Sequence, residues 1–190
     1  MTKLMRPLKA GLIILAFSFL IPSWNLSATS EPPPYPPYSS PVIPGGRDLV
    51  AYLAKTYGKS VEEMWNVVYY ASLHADETFP TATDILAIIA VESSFNSEAI
   101  HPKGPSVGLM QVNAGVHGDK GLKNPAVNIS KGSKILKTYW SGNRQQTYVA
   151  YNAGPTGALA ICEGQPRCSS EYSEKVVAAR QVISSHWRKS

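Results

Sequence analysis

The chain has 190 residues, 44% hydrophobic and 16% charged, with 18 Lys and Arg against 13 Asp and Glu for a formal net charge of +5. That is one domain's worth of globular protein, too apolar for a disordered polymer and too polar for a multi-span membrane protein. Lys3, Arg6 and Lys9 contribute three of the excess positives, so without residues 1–28 the balance falls to 15 against 13 and a nucleic-acid partner is not expected.

Those three basic residues stand before an apolar run from Ala10 to Ile21, and small residues follow at Ser27, Ala28, Thr29 and Ser30. This is the layout of a secretory signal peptide over residues 1–28, with an uncleaved anchor as the alternative. No cysteine lies near the cleavage region, which argues against a lipid anchor. Residues 29–44 form a proline-rich spacer reading EPPPYPPYSSPVIP from Glu31, suited to polyproline II and unable to build a core. The folded unit is expected over 45–190, in the periplasm or cell envelope.

Within it the periodicities are helical. Leu49, Val50, Leu53, Ala54 and Tyr57 form one stripe ending at Gly58. Ser60 opens a second helix, with Glu63 completing a capping box. A third starts after Pro80, capped by Thr81 or Thr83, and carries Ile85, Leu86, Ile88, Ile89 and Val91. A fourth, short element covers Val107 to Val112. The fifth runs from Asn128, read as an N-cap, to about Trp140, and the sixth from Arg144 to about Asn152. The last has Glu171 and Glu174 at its start and Arg180, Arg188 and Lys189 towards its end, as the helix dipole favours. Strand-like alternation is nearly absent, so the fold class is all-α, with six to seven helices.

Charge is unevenly spread. Residues 45–100 hold 3 basic and 8 acidic side chains, residues 101–190 hold 12 and 4. The basic half suits an anionic polymer or is simply a solvated surface. Cys162 and Cys168 can close a small disulfide loop in an oxidising compartment. The four histidines (His74, His101, His117, His186) lack paired ligand spacing, so neither a metal nor another cofactor is expected.

One residue contradicts the packing logic. Glu92 lies three, four and seven residues after Ile89, Ile88 and Ile85, on the same helix face, and no Lys or Arg occurs between Lys59 and Lys103. Desolvation there would hold the carboxyl protonated, the state a general acid needs; alternatively the helix ends and Glu92 reaches water.

Further motifs decide between these. Glu92-Ser93, then Gly108-Leu109-Met110-Gln111, then Asn128-Ile129-x-x-Gly132 with Leu136, then Ala150-Tyr151-Asn152-x-Gly154, then Tyr172-x-x-Lys175-Val176 occur in this order. Together they resemble the soluble-type lytic transglycosylases, a lysozyme-like family acting on peptidoglycan, over roughly Thr83 to Val177. The resemblance implies a single all-α, lysozyme-like domain around a glycan-binding cleft, with Glu92 as the catalytic acid. It also implies substrate contacts from Ser106, Gly108, Met110, Gln111, Tyr148, Tyr151, Asn152 and Tyr172. On chemistry alone, Gly108 allows a sugar close to the backbone, Met110 offers a soft apolar surface, and the Gln111 amide donates and accepts. Tyr151 can reach the catalytic carboxyl. Leu109 and Tyr148 are read as packing residues in the first instance.

A glycosidase normally needs two carboxylates. Asp84, eight residues before Glu92 on one helix, is ~12 Å away by helical rise and cannot be the partner. Glu98, Asp119, Glu163 and Glu171 stay open. A lone carboxyl suits the non-hydrolytic reaction that the resemblance implies, in which the muramyl C6 hydroxyl closes to a 1,6-anhydro end. A hydrolase resembling goose-type lysozyme and a non-catalytic glycan-binding assembly protein are the alternatives. After Gln111 the chain reads Val112-Asn113-Ala114-Gly115, not an Ile-Met-Pro-like turn, which looks closer to specialised enzymes accompanying secretion or conjugation machines. Components of such an apparatus are therefore expected partners besides the glycan, and the membrane only through an uncleaved signal segment.

Overall fold

The computed structural model describes residues 43, 45–163, 165 and 168–187. The expected signal peptide and all of the expected spacer except Ile43 lie outside the described residues, as do Arg188 and Lys189.

Seven helices are present among the described residues: α1 (Gly46–Tyr57), α2 (Val61–His74), α3 (Ala82–Ser93), α4 (Ala114–His117), α5 (Pro125–Thr138), α6 (Arg144–Cys162) and α7 (Glu171–Trp187). Two short strands, β1 (Ser106–Val107) and β2 (Val112–Asn113), pair antiparallel between α3 and α4, with Ser106 opposite Asn113 and Val107 opposite Val112. The domain is all-α, as the periodicities imply. No described helix is long and apolar enough to cross a membrane.

Local chemistry sets the helix ends. Ser60 and Glu63 form the expected reciprocal capping box on α2. Thr81 is the N-cap of α3, and Asp84 completes its box by accepting from Thr81 N at 2.7 Å. Helix α1 ends at Gly58. Helix α5 starts earlier than expected: its N-cap is Asn124, whose side chain accepts from Ala126 N and Val127 N, and Pro125 follows. Asn128 is therefore inside the helix and fully buried, a correction to its reading as a cap. Helix α6 is two helical segments joined at Gly154 (φ 73, ψ 165). The first matches the element expected from Arg144 to about Asn152. The second, opening at Pro155, has too weak an apolar stripe to be read from sequence, with Leu159 74% exposed.

The core centres on α3. Ile85, Leu86, Ala87, Ile88 and Ile89 are all fully buried, so the helix is enclosed on every side and is not amphipathic. It packs against α2 and α7, with α5 on α2, α6 on α7 and α1 across α2 and α7. Gly132 on α5 lets Met110 pass against the helix backbone; a Cβ there would collide with the Met110 side chain.

Ion pairs tie the two halves of the sequence together. Glu98 pairs with Lys123 at 2.9 Å and Asp76 with Lys137 at 3.7 Å. The fully buried Asp84 receives Arg180 Nε at 2.6 Å, Arg144 Nε at 3.4 Å and the Tyr148 hydroxyl at 2.6 Å. In each case an acid of residues 45–100 meets a base of residues 101–190. The charge contrast read from the sequence is thus partly consumed inside the fold. Cys162 and Cys168 form a disulfide, with Cα atoms 4.8 Å apart, between the end of α6 and the approach to α7.

Candidate active site

A cleft of about 570 Å³ opens beside the C-terminal end of α3. Glu92, in the last turn of that helix, forms part of its wall, with Ser106, Gln111, Tyr151 and Asn152. Its remaining wall comes from the turn before β1, from α4, and from Ile135, Tyr139 and the Ala153–Gly154 kink.

Glu92 is partly buried, and burial raises its pKa from 4.5 to about 7, against the downward pull of a hydrogen bond from Tyr172. The Tyr172 hydroxyl, on the first turns of α7, donates to Glu92 Oε1 at 2.6 Å. Burial and the neighbouring carboxyl raise the Tyr172 phenol well above its ordinary range, so it stays a donor. Near neutral pH the carboxyl is therefore divided between its two protonation states, which is what a group acting in turn as acid and base requires. No other carboxylate lines the cleft among the described residues. Glu98 is engaged by Lys123, Glu171 is exposed and pairs with Lys175 at 2.7 Å, and Asp84 is held by two arginines. Nor is any group of three or more His, Cys, Asp or Glu placed to hold a metal among the described residues.

Ser93, Gln111, Asn128 and Tyr151 meet at one place, the backbone of the β1–β2 turn. The expected short element Val107 to Val112 is this hairpin rather than a helix. Ser93 Oγ donates to Leu109 O at 2.8 Å, bracing the end of α3 against the turn immediately beside Glu92. Asn128 accepts from Met110 N at 2.7 Å and donates to Val107 O and Leu122 O at 2.8 and 2.7 Å. Tyr151 donates to Met110 O at 2.7 Å. Gln111, at φ 47, donates through Nε2 to Ala99 O and Gly108 O at 3.1 and 2.9 Å. Two carbonyl acceptors fix the amide orientation, and Gln111 Oε1 remains the acceptor it can offer to the cleft.

Several expected roles change accordingly. Gly108 is needed because the protein itself, not a sugar, approaches it: φ is 81, and a Cβ would fall on Leu122 O and the Asn128 amide. Met110 is fully buried and packs beneath the turn instead of forming a sugar-facing surface. Tyr148 is fully buried on Asp84, which favours its packing reading over substrate contact. Tyr151 lines the cleft, but its hydroxyl holds the Met110 carbonyl; the phenol on Glu92 is that of Tyr172. Ser106, Gln111 and Asn152 line the cleft. The bracing by Ser93 was not foreseen, although Ser93 stood in the motif that marked Glu92.

Removing the Tyr172 hydroxyl frees Glu92 from the interaction that lowers its pKa. Tyr172→Phe should therefore move the alkaline limb of the rate profile to higher pH, because the acid stays protonated longer. The maximal rate should also fall about 10-fold from lost orientation. A pH–rate profile superimposable on that of the wild type would remove Tyr172 from the site.

No curated protein matches the chain. Residues 81–160, from the N-cap of α3 through both Glu92 and the kink of α6, match the family model described as Transglycosylase SLT domain. That span holds the acid and the turn that frames it, and the match agrees with the all-α architecture and with the motif order. Over residues 81–160 the chain is thus similar to the transglycosylase SLT domain, consistent with a soluble-type lytic transglycosylase of the lysozyme-like superfamily.

Proposed function

We propose that the protein cleaves the bond between N-acetylmuramic acid and N-acetylglucosamine in peptidoglycan without consuming water. Glu92 protonates the glycosidic oxygen as the bond to the muramyl C1 breaks. The positive charge developing at C1 is stabilised by the substrate's own acetamido group. Glu92, now a carboxylate, takes the proton of the muramyl C6 hydroxyl, whose oxygen bonds to C1. The proton count returns to its start, the carboxyl is regenerated, and the new end is 1,6-anhydromuramic acid. Ser106 and Gln111 orient the acetamido group, Gln111 through its free Oε1.

The observation that carries this reading is the single carboxyl in the cleft, with a pKa raised to about 7 and no second carboxylate beside it among the described residues. A hydrolase would use that second group to deliver water. Mass spectrometry of digested peptidoglycan tests it, because anhydro ends are lighter by one water than reducing ends. Products carrying that water would identify a hydrolase on the same scaffold.

The reading extends to export and context. The basic and apolar start of the chain supports secretion to the cell envelope, with a catalytic unit over 45–190. The Val112-Asn113 continuation supports a specialised enzyme serving an envelope-spanning secretion or conjugation apparatus. In the fold, Val112 is buried and Asn113 caps α4 by accepting from Val116 N at 3.2 Å, so this departure adds a short wall to the cleft. A gene isolated from any such machinery would argue against the association.

A further inference from the structure

One wall of the cleft carries basic side chains. His101, Lys103 and His117 line it, from the turn before β1 and from α4. The turn is closed by its own hydrogen bonds: His101 N donates to Ser106 O at 2.9 Å, Gly104 N to His101 O at 3.4 Å, and Ala114 N to Pro105 O at 2.8 Å. Lys103 is exposed within that built turn. Its backbone N–H donates to His101 Nδ1 at 3.2 Å, so a neutral His101 ring carries its proton on Nε2 and offers a donor there. Lys131 Nζ, outside the cleft lining, donates to the carbonyl oxygens of His117 and Gly118 at 3.0 and 3.3 Å and so holds the end of α4 that carries His117.

Among the described residues Lys103 is the one Lys or Arg that lines the cleft, and it makes no ion pair there, whereas Lys123, Lys137, Arg144 and Arg180 each meet an acid. Glu92, the one carboxyl lining the cleft among the described residues, is hydrogen-bonded by Tyr172 and partly protonated near neutral pH, so it offers little neutralisation. Hydroxyl and acetamido groups of a neutral glycan are met by amides and phenols and need no such charge. An unneutralised ammonium beside imidazole donors fits a carboxylate.

We propose that His101, Lys103 and His117 form a carboxylate-binding wall for the anionic substituent of the muramyl residue, so that the cleft favours peptidoglycan over neutral N-acetylglucosamine polymers. The inference rests on the peptidoglycan-cleaving reading and names the part of the substrate that this wall takes. The muramyl lactyl ether presents carboxylates in two forms: those of the stem peptide when it is attached, and its own when the peptide has been removed.

The test uses the full-length chain carrying Glu92→Gln, so that ligand is not consumed. Binding is measured for a peptide-bearing glycan fragment, for the same fragment stripped of peptide by an amidase, and for chitotetraose. Adding Lys103→Gln should weaken binding of at least one anionic fragment by about three- to tenfold at low salt while leaving chitotetraose unaffected. The fragment that loses affinity identifies the source of the carboxylate. Lys120→Gln, exposed and outside the cleft, is the charge-matched control and should change none of the three. An equal loss for all three ligands, or no loss for either anionic fragment, overturns the wall. Failure of the parent reading shows separately, as absence of glycan cleavage by the chain with Glu92 intact.

Discussion

Glu92→Gln is expected to lower glycan cleavage by about 10²–10⁴-fold, the usual contribution of a positioned acid and base, while the fold is retained. The same substitution should raise stability at alkaline pH. The native carboxyl has its pKa raised to about 7, whereas an exposed carboxyl titrates near 4.5. Between those values the native state holds a proton that the unfolded chain has released, so wild-type stability falls as pH rises through that window. Above it the full cost of an ionised, partly buried carboxylate is present, on the order of 3 kcal/mol, and glutamine does not bear it. The Tm difference between variant and wild type should thus be small below pH 4.5 and grow towards pH 8. Near-normal release of muropeptides, or a Tm difference that does not change with pH, would sink the assignment of Glu92.

The second large effect concerns Asp84, which never meets the cleft. Asp84→Ala should cost about 3–5 kcal/mol, because removing one partner of a buried ionic cluster leaves the others without compensation. Arg180 and Arg144 lose their carboxylate, the Tyr148 hydroxyl is stranded in the core, and Thr81 N loses its acceptor at the start of α3. Tyr148→Phe removes only one hydrogen bond and should cost about 1 kcal/mol. Urea denaturation gives both values from the shift in midpoint at constant slope. Because Arg180 lies on α7 with Tyr172, the Asp84 variant should also lose part of the Tyr172 effect on the pH–rate profile. A midpoint close to that of the wild type would mean that α7 is held by apolar packing alone.

Much of the fold was legible because its signals are short-range. The caps at Ser60 and Thr81, the stop at Gly58 and the stripes of α1 and α2 each depend on residues within four positions of one another. Where local signals misled, a longer-range demand had taken over the residue. Asn128 looks like a cap beside Ile129, but the polar backbone of the Val107–Met110 turn, buried under α5, requires its amide. The turn itself has an apolar, helix-compatible sequence; only the close approach of Leu122 and Asn128 at Gly108 and the left-handed Gln111 make it a hairpin.

The site divides in the same way. The sequence by itself determined that Glu92 is an acid without a local cation, that its helix is apolar around it, and that an ordered set of motifs accompanies it. Periodicity, charge and residue order carry that information directly. Only the tertiary structure decided what each motif residue touches, since the deciding hydrogen bonds join residues 16, 18, 41 and 80 positions apart: Ser93 to Leu109, Met110 to Asn128, Tyr151 to Met110 and Tyr172 to Glu92. Nothing local distinguishes a tyrosine that holds a carbonyl from one that holds the acid. That difference arises when the packing of α6 and α7 brings one phenol to the turn and the other to Glu92, and buries both where an unpaired hydroxyl would be costly.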